Sequence, residues 1–201
     1  MKLTSTTARK LLDELRSERN DNWINHSLCV GNAAGVIARA LLLDEDYAKT
    51  LGYIHDIGKK FVDAHGGVLP HAVKGYEYLK SLGYDEDYAS ICLKHSFLNQ
   101  DIDCLSNDRD VTDVHHPQYE FVKDYIKQEY TIYEKIINLC DLMCTTKILT
   151  VDKRMIDLLL RHGVHAKTHY HLQETLRLKD FFDRQLGYNL YDLFPEIKEH
   201  L

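Results

Sequence analysis

Prolines are nearly absent from this chain: there are three in 201 residues, beside ten glycines. A proline removes a backbone donor and clashes with the preceding helical turn, so their scarcity leaves long stretches free to run as helix. Along most of the chain, apolar residues recur at spacings of three and four, which places a continuous apolar stripe on one side of an α-helix. No stretch alternates as a half-buried strand would. The spacing predicts helices over roughly 5–19, 23–43, 46–57, 71–82, 86–96, 117–127, 131–149, 153–162, 168–186 and 190–200, and an all-α fold. With 44% apolar and 28% charged residues, 1–201 is expected to form a single domain around one core.

Charge and cysteine usage narrow the function classes. A net charge of −6 and a pI near 6.0 argue against binding a nucleic-acid polymer, which needs clustered Lys and Arg. A small anion in a locally basic or metal-charged pocket is compatible with both values. The five cysteines, at 29, 92, 104, 140 and 144, show neither CxxC spacing nor the density of a secreted scaffold, so reduced thiols in a cytoplasmic protein are expected. No apolar signal core or membrane-length run is visible, and no membrane partner is expected.

Several polar residues fall where core residues belong. His55 and Asp56 sit side by side in Tyr53-Ile54-His55-Asp56-Ile57-Gly58-Lys59-Lys60, at the end of an apolar helix. Such a pair suits a divalent metal, although polar pairs also end helices for structural reasons. His26 heads the stripe Val30, Ala33, Ile37, Leu41. His71 shares a face with Gly75, Tyr78 and Leu82, and His95 closes the stripe Tyr88, Ile91, Cys92. Asp141 aligns with Ile137, Cys144 and Ile148, where a buried carboxylate is costly unless paired or metal-bound. Each histidine alone reads more readily as a satisfied core residue than as a ligand; metal coordination is one explanation for all of them together.

In that order, His26, His55-Asp56 and a distant Asp141 resemble the metal signature of the HD-domain phosphohydrolase superfamily, over about residues 20–150. His71 and His95 resemble the two further histidines of its dinuclear branch. The segments that match are HSLCVGNAAGVIA, GYIHDIGKK, LPHAVKGYEYL and YEKIINLCDLM. Their layout is similar to that of bacterial hydrolases that split dinucleoside tetraphosphates symmetrically. The chain departs from the cyclic-dinucleotide phosphodiesterase branch, having His95-Ser96-Phe97 where that branch carries further motif residues. It departs from the mixed-valent di-iron oxygenase branch in having Arg16 and Arg19 where Tyr and Glu are typical.

The resemblance implies an HD-domain helical bundle with extra C-terminal helices from about 151 to 201. It also implies one metal on His26, His55, Asp56 and Asp141 and a second on His71 and His95, with Asp56 bridging. Two such ions, about 3.5–4 Å apart, supply a hydroxide nucleophile between them and clamp phosphoryl oxygens. Iron is expected on family grounds, while manganese, cobalt, nickel and zinc also suit these ligands. The expected substrate is a nucleotide or dinucleoside polyphosphate, cleaved at a phosphate ester or anhydride, with Asp56 and Lys59 in the catalytic machinery. The alternatives are a di-iron oxygenase or a non-catalytic nucleotide-binding regulator on the same scaffold.

Other features are expected to serve structure. Lys147 and the histidines at 65, 115, 116, 162, 165, 169, 171 and 200 read as surface residues, with His115 and His116 able to enter the site if the aspartate-rich segment 97–116 is a lid rather than a solvated loop. The aromatic C-terminal stretch LRLKDFFDRQLGYNLYDLF reads as core-completing, with a homodimer surface as the other use.

Overall fold

In the computed structural model, residues 1–16, 22–62, 68–102, 117–164 and 166–198 are described. The expectations at Arg19, His65, Cys104, His115, His116, His165 and His200, at the side chain of His162, and for most of the 97–116 segment lie outside them.

Among the described residues the fold is all helical. The α-helices are α1 (Ser5–Glu14), α2 (Asn22–Ala40), α3 (Glu45–Ile54), α4 (Val68–Ser81), α5 (Glu86–Lys94), α6 (Tyr119–Tyr125), α7 (Ile132–Asp141), α8 (Val151–His162), α9 (Thr168–Leu186) and α10 (Pro195–Lys198). Short 3₁₀ turns cover Ile57–Phe61, Leu98–Gln100 and Leu190–Leu193. An isolated antiparallel bridge joins Cys144 to Ile148. No described helix is long and apolar enough to cross a membrane.

Caps set the ends that matter for the site. The Asp44 side chain accepts from the Tyr47 amide at 3.0 Å and starts α3. Thr131 and Glu134 form a capping box at the start of α7, with Oε2 of Glu134 accepting from the Thr131 amide at 2.6 Å. Helix α7 ends at Asp141, not at 149 as the apolar spacing predicts. The chain then turns, and the Thr145 amide and hydroxyl both donate to the Lys147 carbonyl.

The main core runs from Ala8 and Leu12 of α1 through Ile24, Val30 and Ile37 of α2, Leu51 and Ile54 of α3, and Ile136, Ile137 and Cys140 of α7. The C-terminal segment completes it as expected, burying Phe182, Leu190, Phe194 and Ile197. A smaller core beneath α6 collects Leu69, Val73, Leu93, Phe97, Val122 and Ile126.

Two close backbone approaches place the site. A side-chain carbon on Gly52 would lie 2.4 Å from the Gly31 Cα, so α2 and α3 touch backbone to backbone. A carbon on Gly58 would lie 1.8 Å from the His71 carbonyl oxygen, so the turn after the His-Asp pair is pressed onto α4. These contacts bring His26 beside His55, and Asp56 beside His71.

Candidate metal centre

The structure brings together all six residues singled out in the sequence. His26 comes from α2, His55 caps α3, Asp56 opens the following 3₁₀ turn, His71 lies on α4, His95 caps α5 and Asp141 ends α7. Asp56 is at the centre, 1% exposed. Its Oδ2 stands 3.7 Å from His26 Nε2 and 3.5 Å from His55 Nε2. Its Oδ1 stands 3.3 Å from His71 Nε2 and 3.4 Å from His95 Nε2. Asp141 Oδ1 completes the first set, 2.9 Å from His26 Nε2 and 3.8 Å from His55 Nε2.

The far nitrogens of three rings decide what the near ones offer. Nδ1 of His26 lies 3.2 Å from the Thr145 carbonyl, Nδ1 of His55 lies 2.6 Å from that of Gly52, and Nδ1 of His95 lies 3.0 Å from that of Cys92. A carbonyl only accepts, so each Nδ1 carries a proton and Nε2 is the nitrogen that each ring turns to the centre. Each Nε2 therefore faces a carboxylate oxygen, and a proton or a cation must lie between them, as in the 2.9 Å contact of His26 with Asp141. His55 Nε2 and Asp56 Oδ1 are buried without a hydrogen-bond partner. Such an arrangement is costly by itself and is resolved by cations between the opposed atoms. Among the described residues, two groups have ligand atoms within 4.8 Å of one another: His26, His55 and Asp56, and Asp56, His71 and His95. The residues present thus fit two divalent ions sharing Asp56.

The electrostatics agree with this reading. Burial pushes the His55 imidazole down to about 3 and also lowers that of His71, which keeps both rings neutral as ligands. Burial also works against the Asp56 carboxylate, but Lys59 and the surrounding imidazoles outweigh it and hold its pKa well below the ordinary value. Asp141 is likewise lowered against burial, through its hydrogen bond with His26. Lys59 Nζ donates to Asp56 Oδ2, and its pKa is raised because Asp56 and Asp141 outweigh its own desolvation.

Three expectations need correction. Asp141 is not fully buried: its side chain is 23% exposed, at the residue where α7 stops. Leu82 lies past the end of α4 and is exposed, so the His71 face is shorter than its spacing implies. His171, read as a surface residue, is buried on α9. Lys147 is exposed, as expected.

Two features were missed. Arg154, on α8, lies close enough to Lys59 for their charges to repel. Its guanidinium donates to Asp157 at 2.5 Å while its buried Nε has no partner. The second is an ion pair behind His95: Lys94 Nζ and Glu134 Oε1 are 2.8 Å apart, both residues are buried, and the ammonium stands 5.5 Å from the Tyr130 ring centre. Asn138 Nδ2 donates to the Lys94 carbonyl at 3.2 Å, tying the end of α5 to α7. The only sequence signal for either was the capping-box Glu134.

An all-helical bundle that gathers four histidines and two aspartates in this order defines a class, and comparison with known families agrees. The HD domain family profile matches residues 23–144, more than half of the chain, and the chain belongs to that family. Ribonuclease Y of Oleidesulfovibrio alaskensis is 39% identical over 88 residues, covering 43% of this chain and 17% of that protein. Ribonuclease Y of Clostridium perfringens is 41% identical over 73 residues, covering 35% and 14%. An uncharacterised protein of Methanocaldococcus jannaschii is 33% identical over 91 residues, covering 43% and 52%. The chain thus spans under a fifth of these ribonuclease Y proteins and about half of the Methanocaldococcus protein. No solved structure gives a significant match.

Proposed function

We propose that the chain is a metal-dependent phosphohydrolase that cleaves a phosphate ester or anhydride of a nucleotide. One metal is held by His26, His55, Asp56 and Asp141 and the other by His71, His95 and Asp56. The observation that carries the reading is the division of Asp56, whose Oδ2 faces His26 and His55 while Oδ1 faces His71 and His95. When bound, two such ions acidify water to give a nucleophile near neutral pH and neutralise phosphoryl oxygens. Iron is the proposed metal, on family grounds.

The chain's own residues do the rest. The backbone carbonyls of Thr145, Gly52 and Cys92 hold three imidazoles in the ligating tautomer. Lys59 places a cation on Asp56, and Arg154 lies near enough to Lys59 for their charges to repel. The Lys59 ammonium, bonded to Asp56 and 39% exposed, can swing to a phosphoryl oxygen as negative charge builds there. The unpaired Nε of Arg154 offers a second donor to the same phosphate.

A dinucleoside polyphosphate is the substrate implied by the motif layout. The likeness to ribonuclease Y favours a second reading, an RNA phosphodiester, against which stands the net charge of −6. Phosphate release or chain cleavage should be measured on mononucleotides, dinucleoside polyphosphates and short RNA, with and without chelator. Chelator-sensitive turnover of a nucleotide supports the first reading, and cleavage of RNA alone moves it to the second. Inertness of the metal-loaded chain towards all three overturns the hydrolase reading.

A further inference from the structure

Two rungs join α2 to the end of α7. The first is the His26–Asp141 contact at 2.9 Å. The second lies three residues further along both segments, where the Cys29 and Cys144 side chains interact. The equal spacing has a structural cause. A helical turn continues past Asp141, since the Cys144 amide donates to the Cys140 carbonyl at 2.9 Å, so residues three apart share a face on both sides.

The two thiols differ in access. Cys144 is fully buried, whereas Cys29 is half-buried and lines an open cavity of about 610 Å³ together with Asn25, Asn32, Val36 and Lys147. Cys92 and Cys140 are also buried, so Cys29 is the accessible thiol among the described residues. This is the arrangement of an attacking sulfur with a resolving sulfur already against it.

We infer that Cys29 and Cys144 form an oxidisable dithiol that closes to an intramolecular disulfide on reaction with a hydroperoxide. The Cys29 sulfur attacks a peroxide oxygen; the O–O bond breaks, one water leaves, and Cys29 becomes a sulfenic acid. The Cys144 sulfur then attacks the Cys29 sulfur, the S–O bond breaks, and a second water leaves with the Cys144 proton. In sum, two thiols and one hydrogen peroxide give one disulfide and two waters. The interaction with Cys144 outweighs burial and lowers the Cys29 pKa, which favours its thiolate as the attacking group. Closure to an S–S length of about 2.05 Å tightens the second rung, one turn from the first. The modification does not depend on the hydrolase reading, since it is read by mass whether or not metal binds.

The test treats the full chain with graded hydrogen peroxide in the presence of chelator, then alkylates the remaining thiols. The expected result is loss of two of the five thiols and a mass lower by about 2 Da, reversed by dithiothreitol. A cross-link should join tryptic peptides 20–39 and 136–147. It should survive Cys140→Ser, which separates Cys144 from the other cysteine of that peptide. Cys29→Ser should slow thiol loss at least about tenfold, and Cys144→Ser should leave a sulfenic acid at Cys29 that dimedone traps. Five thiols persisting at peroxide levels that oxidise free cysteine would overturn the inference. So would a sulfinic acid at Cys29 in the unmodified sequence, or a link to Cys140, to Cys104 or to a second chain.

Discussion

Replacing Gly58 by alanine should separate the two halves of the centre without touching a ligand. The added carbon would lie 1.8 Å from the His71 carbonyl oxygen and 2.5 Å from the Gly75 amide nitrogen, both backbone atoms that no rotamer change can remove. Real contacts of this kind stay beyond 3.0 Å, so turn and helix must part by at least the difference, 3.0 − 1.8 = 1.2 Å. Asp56 lies two residues before Gly58 and faces His71 at 3.3 Å, so that movement is large compared with the tolerance of a metal–ligand bond, roughly 0.2 Å. Forcing a methyl into a packed contact costs about 1–3 kcal/mol. At about 2–4 °C per kcal/mol for a chain of this size, the melting temperature should fall by roughly 2–12 °C. Elemental analysis of the folded variant should find the site of His26, His55 and Asp141 loaded and the site of His71 and His95 depleted. An unchanged melting temperature with full metal content would refute the reasoning, because it would mean that the close approach does not position Asp56.

Other substitutions separate binding from packing. Asp56→Asn should lose both ions and all turnover while remaining folded by circular dichroism, because one carboxylate serves both positions; retention of one full equivalent of metal would count against bridging. Arg154→Ala should keep the metal content and raise KM for a phosphorylated substrate by roughly 10–100-fold, the worth of a hydrogen bond to a charged group of about 1.5–3 kcal/mol. Steady-state kinetics with an unchanged KM would remove Arg154 from the site. Lys94→Met leaves Glu134 buried without its cation, which costs about 3–5 kcal/mol, and thermal unfolding should shift down by roughly 10 °C.

How much could be read in advance depended on whether the signal was local. His26, His71 and His95 stood out because each occupies a position in an apolar stripe, and a stripe is visible within about three turns of sequence. Asp141 was found by the same rule, but the rule misjudged its surroundings: Leu142 to Ile148 continue the apolar spacing even though α7 ends at Asp141 and only one further turn follows it. Apolar periodicity reports which side faces inward, not where hydrogen bonding stops. Arg154 carried no signal, because in VDKRMID it looks like one more charge on an exposed face, and only the packing of α8 brings it near Lys59. The Lys94–Glu134 pair joins residues 40 positions apart, and apart from the capping-box position of Glu134 nothing local distinguishes those two from other charged residues. His171 was misread for a related reason: its neighbours His169 and Tyr170 look polar, yet the buried face of α9 runs through His171, Glu174 and Thr175.

The central claim is that six side chains hold two ions through one shared aspartate. Its most direct test is elemental analysis of the purified full chain after reconstitution with ferrous iron or manganese, compared with the Asp56→Asn variant. The account predicts about two ions per chain, falling to none in the variant. A single ion, held equally well by the variant, would contradict it and would make His71 and His95 ordinary buried histidines.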